Sequence, residues 1–241
     1  MEFHIQCQPE AIARYALVPG SHARAQLIAQ HLEDCRLVSD SRGYLVYTGF
    51  ADGVRITAAS TGMGGPSTAI ALEELARLGA TTFIRVGSCG TPQDYVDCGD
   101  VIIATGTFRS AGTANAYLPP AFPAVPTFAI TRELVRAAAR LNLKVHVGLG
   151  SAGDAFYAPN DDALRETLKQ VGILSGEMES DTLFVIGAYR GWRTGALYVA
   201  DGTSKEIKPV WGEEAFRRGE QNAIRIAIET VKALAQADAV G

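Results

Sequence analysis

The sequence predicts an α/β protein: a single domain, residues 1–241, with a twisted mixed, partly barrel-like central sheet flanked by helices. Three observations carry this. Strand-like runs alternate with helix-like runs along the whole chain, the pattern of a layered sheet with helices on its faces. Two β-rich runs, "GYLVYTGF" and "GVRITAAS", flank "ADG" as a hairpin does, so part of the sheet is antiparallel and more strongly twisted than a plain doubly wound one. No linker-like stretch divides the chain.

"YALVPG" is a short apolar run stopped by Pro-Gly, and "SHARAQLIAQHL" follows as a helix with Ser21 placed to cap it. After the hairpin, "GMGGP" opens a helix over "STAIALEELARLG", with Pro66 near its start and Gly79 just past its end. "TTFIRV" and "DVIIATG" are strands. Residues 107–126, rich in Pro, Gly and Ala and without a period, predict a long loop. "TRELVRAAARLNL" is a helix, "KVHVGLG" a strand, "DDALRETLKQVG" a helix, "MESDTLFVIGAYRG" a helix and "GALYVA" a strand. From about Glu213 to Ala237, Ala223, Ile224, Ile228, Val231 and Leu234 recur at helical core spacing.

The formal net charge of −4, with no run of lysine and arginine, argues against a nucleic-acid partner. No apolar run reaches membrane-spanning length, and "MEFHIQCQPE" lacks the basic start and apolar core of a secretory signal. Cys7, Cys35, Cys89 and Cys98 are scattered without a CxxC pair, so free thiols in a reducing cytoplasm are expected rather than a zinc site or a disulfide frame.

The chemistry is concentrated in turns that follow strands, where α/β proteins gather ligands. "VPGSHAR" offers Gly20, a helix start whose N–H groups favour an anion, and Arg24 one turn in. "FIRVGSCG" places Arg85 inside an apolar strand, followed by Ser88 and glycine amides. A guanidinium there is costly unless an anion meets it, so either a carboxylate elsewhere pairs with Arg85 or a ligand supplies the charge. Arg42, in "SDSRGY", is a third candidate; taken alone it reads as a solvated side chain. Neither glycine turn is a Walker or dinucleotide-binding fingerprint, so the residues by themselves say only phosphate or carboxylate.

Taken together, "FHI", "LVPGSHARAQLIA", "STGMGGPSTAIALEEL", "FIRVGSCG", "DAFYAP", "GEMES" and "VADG" occur in an order that resembles the nucleoside phosphorylase-I family, nearly end to end. The family's usual Gly-Asp-Pro-x-x-Arg turn has Ser21-His22 in place of Asp-Pro, keeping Gly20 and Arg24. The resemblance implies the family's fold and phosphorolysis: phosphate, a co-substrate, attacks the anomeric carbon of a nucleoside and the base leaves, with no metal or organic cofactor. It implies phosphate binding by Gly20, Arg24, Arg85 and Ser88, so that the anion facing Arg85 is the substrate phosphate. Arg42 matches a phosphate-binding arginine, and His4 a histidine that meets the sugar 5′-hydroxyl, each reaching in from a neighbouring subunit of a homo-oligomer built of dimers, up to a hexamer.

A carboxylate accepts two hydroxyl hydrogen bonds and suits a ribose diol. By resemblance Glu179 takes this role, with Met178 and Met63 packed on the sugar and Glu177 nearby; read without the family, Met178 is core and the glutamates cap the next helix. By resemblance Asp201, at the end of "GALYVA", aligns with an acid that assists a leaving purine base, and Arg217 or Arg218 would couple to it after substrate closure. Phe156 meets the base, with Cys89 and Gly90 along the same wall. Uridine phosphorylases carry a Gln-x-Arg pair after the Phe-Tyr-Pro-like segment; here Asn160 and Asp161 stand there instead, and together with Asp201 they favour a purine. Uridine phosphorylase remains the alternative, supported by "GGPSTAIALEEL" and "GEMES". A nucleosidase or a non-catalytic nucleoside-binding protein fits less well, because all the arginines and the acid are kept.

Overall fold

The structure is a computed structural model that describes residues 2–159 and 162–240. Asn160 and Asp161, on which part of the purine expectation rested, lie outside the described residues.

The elements run β1 (Tyr15–Leu17), α1 (His22–Ala29), β2 (Glu33–Ser41), β3 (Tyr44–Ala51), β4 (Val54–Ala59), α2 (Gly65–Arg77), β5 (Thr82–Cys89), β6 (Val101–Arg109), α3 (Phe128–Arg140), β7 (Val145–Ala152), α4 (Asp162–Gln170), β8 (Ser175–Glu177), α5 (Ser180–Arg190), β9 (Arg193–Ala200) and α6 (Glu213–Val240). Among the described residues, all nine strands form one sheet in the order β2-β3-β4-β1-β5-β9-β6-β7-β8. β4, β1, β5 and β9 are mutually parallel, β2-β3-β4 is an antiparallel meander, and β6 runs antiparallel to β9. At the far margin Gly90 and Gly176 exchange both backbone hydrogen bonds, at 3.0 and 2.9 Å, joining β8 back to the end of β5. That bridge makes the expected partly closed barrel out of β5, β9, β6, β7 and β8.

The alternation of side chains along each strand divides the core between the two faces. On one face Phe83, Ala196 and Tyr198 pack with Leu72 and Leu75 of α2 and Phe184 of α5. On the other Ile84, Val86, Leu197 and Val199 pack with Ile28 of α1, Leu134 of α3 and Ile224 and Val231 of α6. The same alternation puts Arg85 on the face of Phe83, toward α5.

Two strands were not expected. β2 is mostly exposed and charged, and β8 is three residues long. β6 also continues to Arg109, into the predicted loop. The rest of that loop is ordered around the Arg109 guanidinium, which donates to the carbonyls of Pro119, Phe122 and Leu118 and to Asn115 Oδ1 at 2.6–3.0 Å. Among the described residues, no helix is long and apolar enough to cross a membrane.

Candidate active site

Residues from the carboxyl ends of β1, β4, β5 and β9, together with β8 and the residues after it, are brought together, and the region they line is the candidate cleft. Ser21 caps α1, its Oγ accepting from Arg24 N–H at 3.2 Å, which turns Arg24 back toward the sheet. Arg24 is buried; its Nε donates to Glu220 Oε1 of α6 at 2.6 Å and its Nη1 approaches the Val86 carbonyl at 3.4 Å. A Cβ placed on Gly20 would stand 3.4 Å from the Gly62 carbonyl and 3.9 Å from Arg85 Nη1, so the β1 turn, the β4 turn and Arg85 meet at one point. Gly62 and Gly64 hold φ of +72° and +87°, left-handed values that favour glycine. They let the Gly64 N–H turn inward and donate to Glu179 Oε1 at 2.6 Å.

Arg85 is 5% exposed. Because the Gly90–Gly176 bridge is antiparallel, the chain after Gly176 runs back along β5 and brings two carboxylates to it. Nε donates to Glu177 Oε2 at 3.0 Å, and Nη2 pairs with Glu179 Oε2. Of the two anions the sequence left open, the resident ones are carboxylates of the same chain. Expecting phosphate as the whole answer is thereby corrected, because the negative charge arrives on residues 92 and 94 positions away. Nη1 is left over, buried and, among the described residues, without a hydrogen-bond partner, beside Gly20.

Glu177 also accepts from Ser180 Oγ at 2.5 Å and from the amides of Glu179 and Ser180 at 3.0 Å. Burial nonetheless pushes its carboxyl above the ordinary range, with Glu179 adding to the rise and Arg85 opposing it. Glu179, the expected diol acceptor, has one oxygen on Gly64 and the other on Arg85. Met178 and Ser88 are half-buried, and Met63 is exposed.

Asp201 is joined to this floor through its N–H, which donates to the Cys89 carbonyl at 2.9 Å. Burial raises its carboxyl, against the opposing charges of Lys208 and Arg24. Burial also raises the Cys89 thiol, with Asp201 and Glu177 adding to it and Arg85 and Arg24 opposing. The cation beside Asp201 is Lys208, whose Nζ lies 3.6 Å from Oδ2. The expected partner Arg217 pairs instead with Glu213, and Arg218 with Glu214, one helical turn away on the exposed face of α6. Helical spacing satisfies these arginines locally, and the coupling to Asp201 expected on substrate closure is not formed in this arrangement.

His4 and Arg42 form a separate cluster. Glu74 of α2 accepts from His4 Nδ1 at 2.6 Å and from the amides of His4 and Ile5 at 2.9 and 2.7 Å. These bonds hold the Glu74 carboxyl below its usual range, although its burial opposes them. Arg42 is exposed and lies 5.2 Å over the Phe3 ring, next to His4. Tyr44 packs beside this cluster: its ring is 6.2 Å from His4 and its hydroxyl donates to the Ser67 carbonyl at 3.1 Å. Phe156 and Tyr157 are exposed beside each other, their rings 5.0 Å apart. Sequence reasoning missed Glu220, Glu74 and Lys208. Only Lys208 had a signal, lying in a "TSKEIKPVW" stretch that departs from the commoner family patterns.

A profile of the phosphorylase superfamily matches residues 14–235. The uridine phosphorylase of Treponema pallidum (strain Nichols) is 40% identical over 98% of this chain and 95% of its own length. The guanosine phosphorylase of Halorubrum lacusprofundi is 34% identical over 96% and 98%. Among solved structures, the uridine phosphorylase of Vibrio fischeri ES114 superposes with a TM-score of 0.91 at 33% identity, covering 95% of this chain and 96% of that one. The chain belongs to the phosphorylase superfamily and, within it, to the nucleoside phosphorylase-I family of pentosyltransferases.

Proposed function

We propose that this nucleoside phosphorylase acts on uridine, releasing uracil and ribose 1-phosphate. The observation that carries phosphorolysis is Arg85: two of its nitrogens are fixed by Glu177 and Glu179, and the third is buried, unpartnered and aimed at Gly20. A guanidinium held in this way offers a preorganised donor to an incoming anion. Phosphate bound by Arg85, Arg24, Ser88 and the Gly20 turn is oriented for attack. As its oxygen bonds to C1′, the bond from C1′ to the base breaks, and the anion sits beside the cationic sugar that develops. Glu179 accepts from the ribose hydroxyls, with Met63 and Met178 against the ring, and Cys89, Gly90 and Phe156 border the base. His4 and Arg42, clustered at the surface, serve the cleft of a second copy, so the working unit is a homodimer or a larger assembly of dimers. Its setting is the cytoplasm.

The relatives named for uridine support the pyrimidine over the purine that the sequence favoured. One purine reading keeps specific support: a guanosine phosphorylase aligns over nearly its whole length, and burial raises the Asp201 carboxyl toward the protonated form that a purine leaving group uses.

The test is base release from uridine, guanosine, inosine and adenosine, with and without phosphate. Phosphate-dependent release of uracil, faster than of any purine, is expected. Faster guanine release favours the second reading, release without phosphate means hydrolysis, and no release from any nucleoside means a binding protein.

A further inference from the structure

When uracil leaves C1′ it takes the bonding pair, which spreads over N1, O2 and O4, so a cation fixed near the base lowers the barrier. Arg24 and Arg85 are engaged by Glu220, Glu177 and Glu179. The end of β9 supplies another cation. After Asp201 the chain folds back, with Gly202 bridging Ile207, and the Lys208 N–H donates to the Asp201 carbonyl at 2.9 Å. Lys208 holds φ +48°, a left-handed value uncommon for a residue other than glycine or asparagine. A lysine kept in such a conformation beside a cleft is a pointer to function. Its side chain is 67% exposed while that of Asp201 is 13% exposed, so the buried carboxylate anchors the ammonium at the cleft rim. The bond from Asp201 N–H to the Cys89 carbonyl ties this pair to the wall assigned to the base.

We propose that Lys208 is the leaving-group residue: its ammonium, aimed by Asp201, donates a hydrogen bond to the uracil oxygen on which charge develops. This rests on the uridine reading above. In the step, a phosphate oxygen bonds to C1′ as the C1′–N1 bond breaks, the electron pair goes to the uracil ring, Lys208 keeps its proton, and the uracil anion takes a proton from water.

The test compares wild type, Lys208→Asn and Lys208→Arg on uridine and 5-fluorouridine. Asparagine tolerates the left-handed backbone, so the turn is preserved, and an unchanged melting temperature checks this. Lys208→Asn is expected to lower kcat/KM for uridine about 100-fold, the size of a lost transition-state donor. The loss is several-fold smaller for 5-fluorouridine, whose base anion is intrinsically more stable, and KM for phosphate stays within about twofold. Lys208→Arg recovers most of the activity. An equal loss on both substrates, or none, overturns the proposal, because a lysine that only holds the turn does not change leaving-group sensitivity. If wild type cleaves guanosine and not uridine, the uridine reading fails by itself. The same ratio is then read with guanosine and 7-methylguanosine, whose base leaves uncharged, and an equal loss there overturns the role of Lys208.

Discussion

The two sides of the cleft are built differently. The side proposed for phosphate is ionic and buried: Arg24, Arg85 and the Glu177–Glu179 pair come from three separate segments, with Arg85 bonded to both glutamates and Arg24 to Glu220 of α6. The side proposed for the base is more open, with Tyr157 94% exposed, and Phe156, Ile207 and Trp211 also facing solvent. On the proposed reading, the contrast teaches that the attack machinery is preorganised, whereas selection of the base depends on exposed side chains that a nucleoside has to cover.

The strongest way to break this contrast is Arg85→Ala. It leaves two buried carboxylates without their cation, a change that costs about 3–5 kcal/mol and removes the proposed phosphate donor. Urea denaturation and phosphorolysis assays are expected to show both losses; a variant as stable as wild type would mean the floor is not held by charge. Asp201→Asn comes next, at on the order of tenfold in kcat for uridine, the scale of a misoriented catalytic group. Its pH profile sharpens the comparison. Burial raises the Asp201 carboxyl, and the ionised form is the one that aims Lys208. Uridine turnover therefore falls as pH drops through that raised value, and the asparagine variant lacks this acid limb. A fall as pH rises would point instead to Asp201 as a proton donor and to a purine.

On the open side, Phe156→Ala is expected to raise KM for the nucleoside about fivefold, from about 1 kcal/mol of lost stacking, with KM for phosphate unchanged. A change confined to phosphate would move Phe156 to the other side of the cleft. Smallest of all is Arg217→Ala. Its exposed helical pair with Glu213 contributes within about 0.5 kcal/mol, so stability and kcat stay near wild type. A collapse of kcat would restore Arg217 as a catalytic partner of Asp201.

What the sequence made legible follows the same division. Capping and turn chemistry announce α1 and α2 in Ser21, Pro66 and Gly79, because those signals are local. β2 escapes because an exposed edge strand carries no apolar alternation, and β8 because three residues hold no period. The buried arginine within β5 raises the right question, but its answer is stored far along the chain and reaches it only through the fold of the sheet. Lys208 is legible only in part: "TSKEIKPVW" departs from the commoner family patterns, but nothing in it says that the chain doubles back onto Asp201.

The Gly90–Gly176 bridge has a further effect, on how the molecule avoids its own kind. Closing one margin onto β5 leaves β2 as the margin that other chains could extend. There Glu33, Asp34, Arg36 and Asp40 line the strand, and two register irregularities break its pairing with β3. Charge and bulges are the devices that discourage intermolecular strand addition. Protection against aggregation is thus concentrated in nine residues at the end of the sheet remote from the barrel.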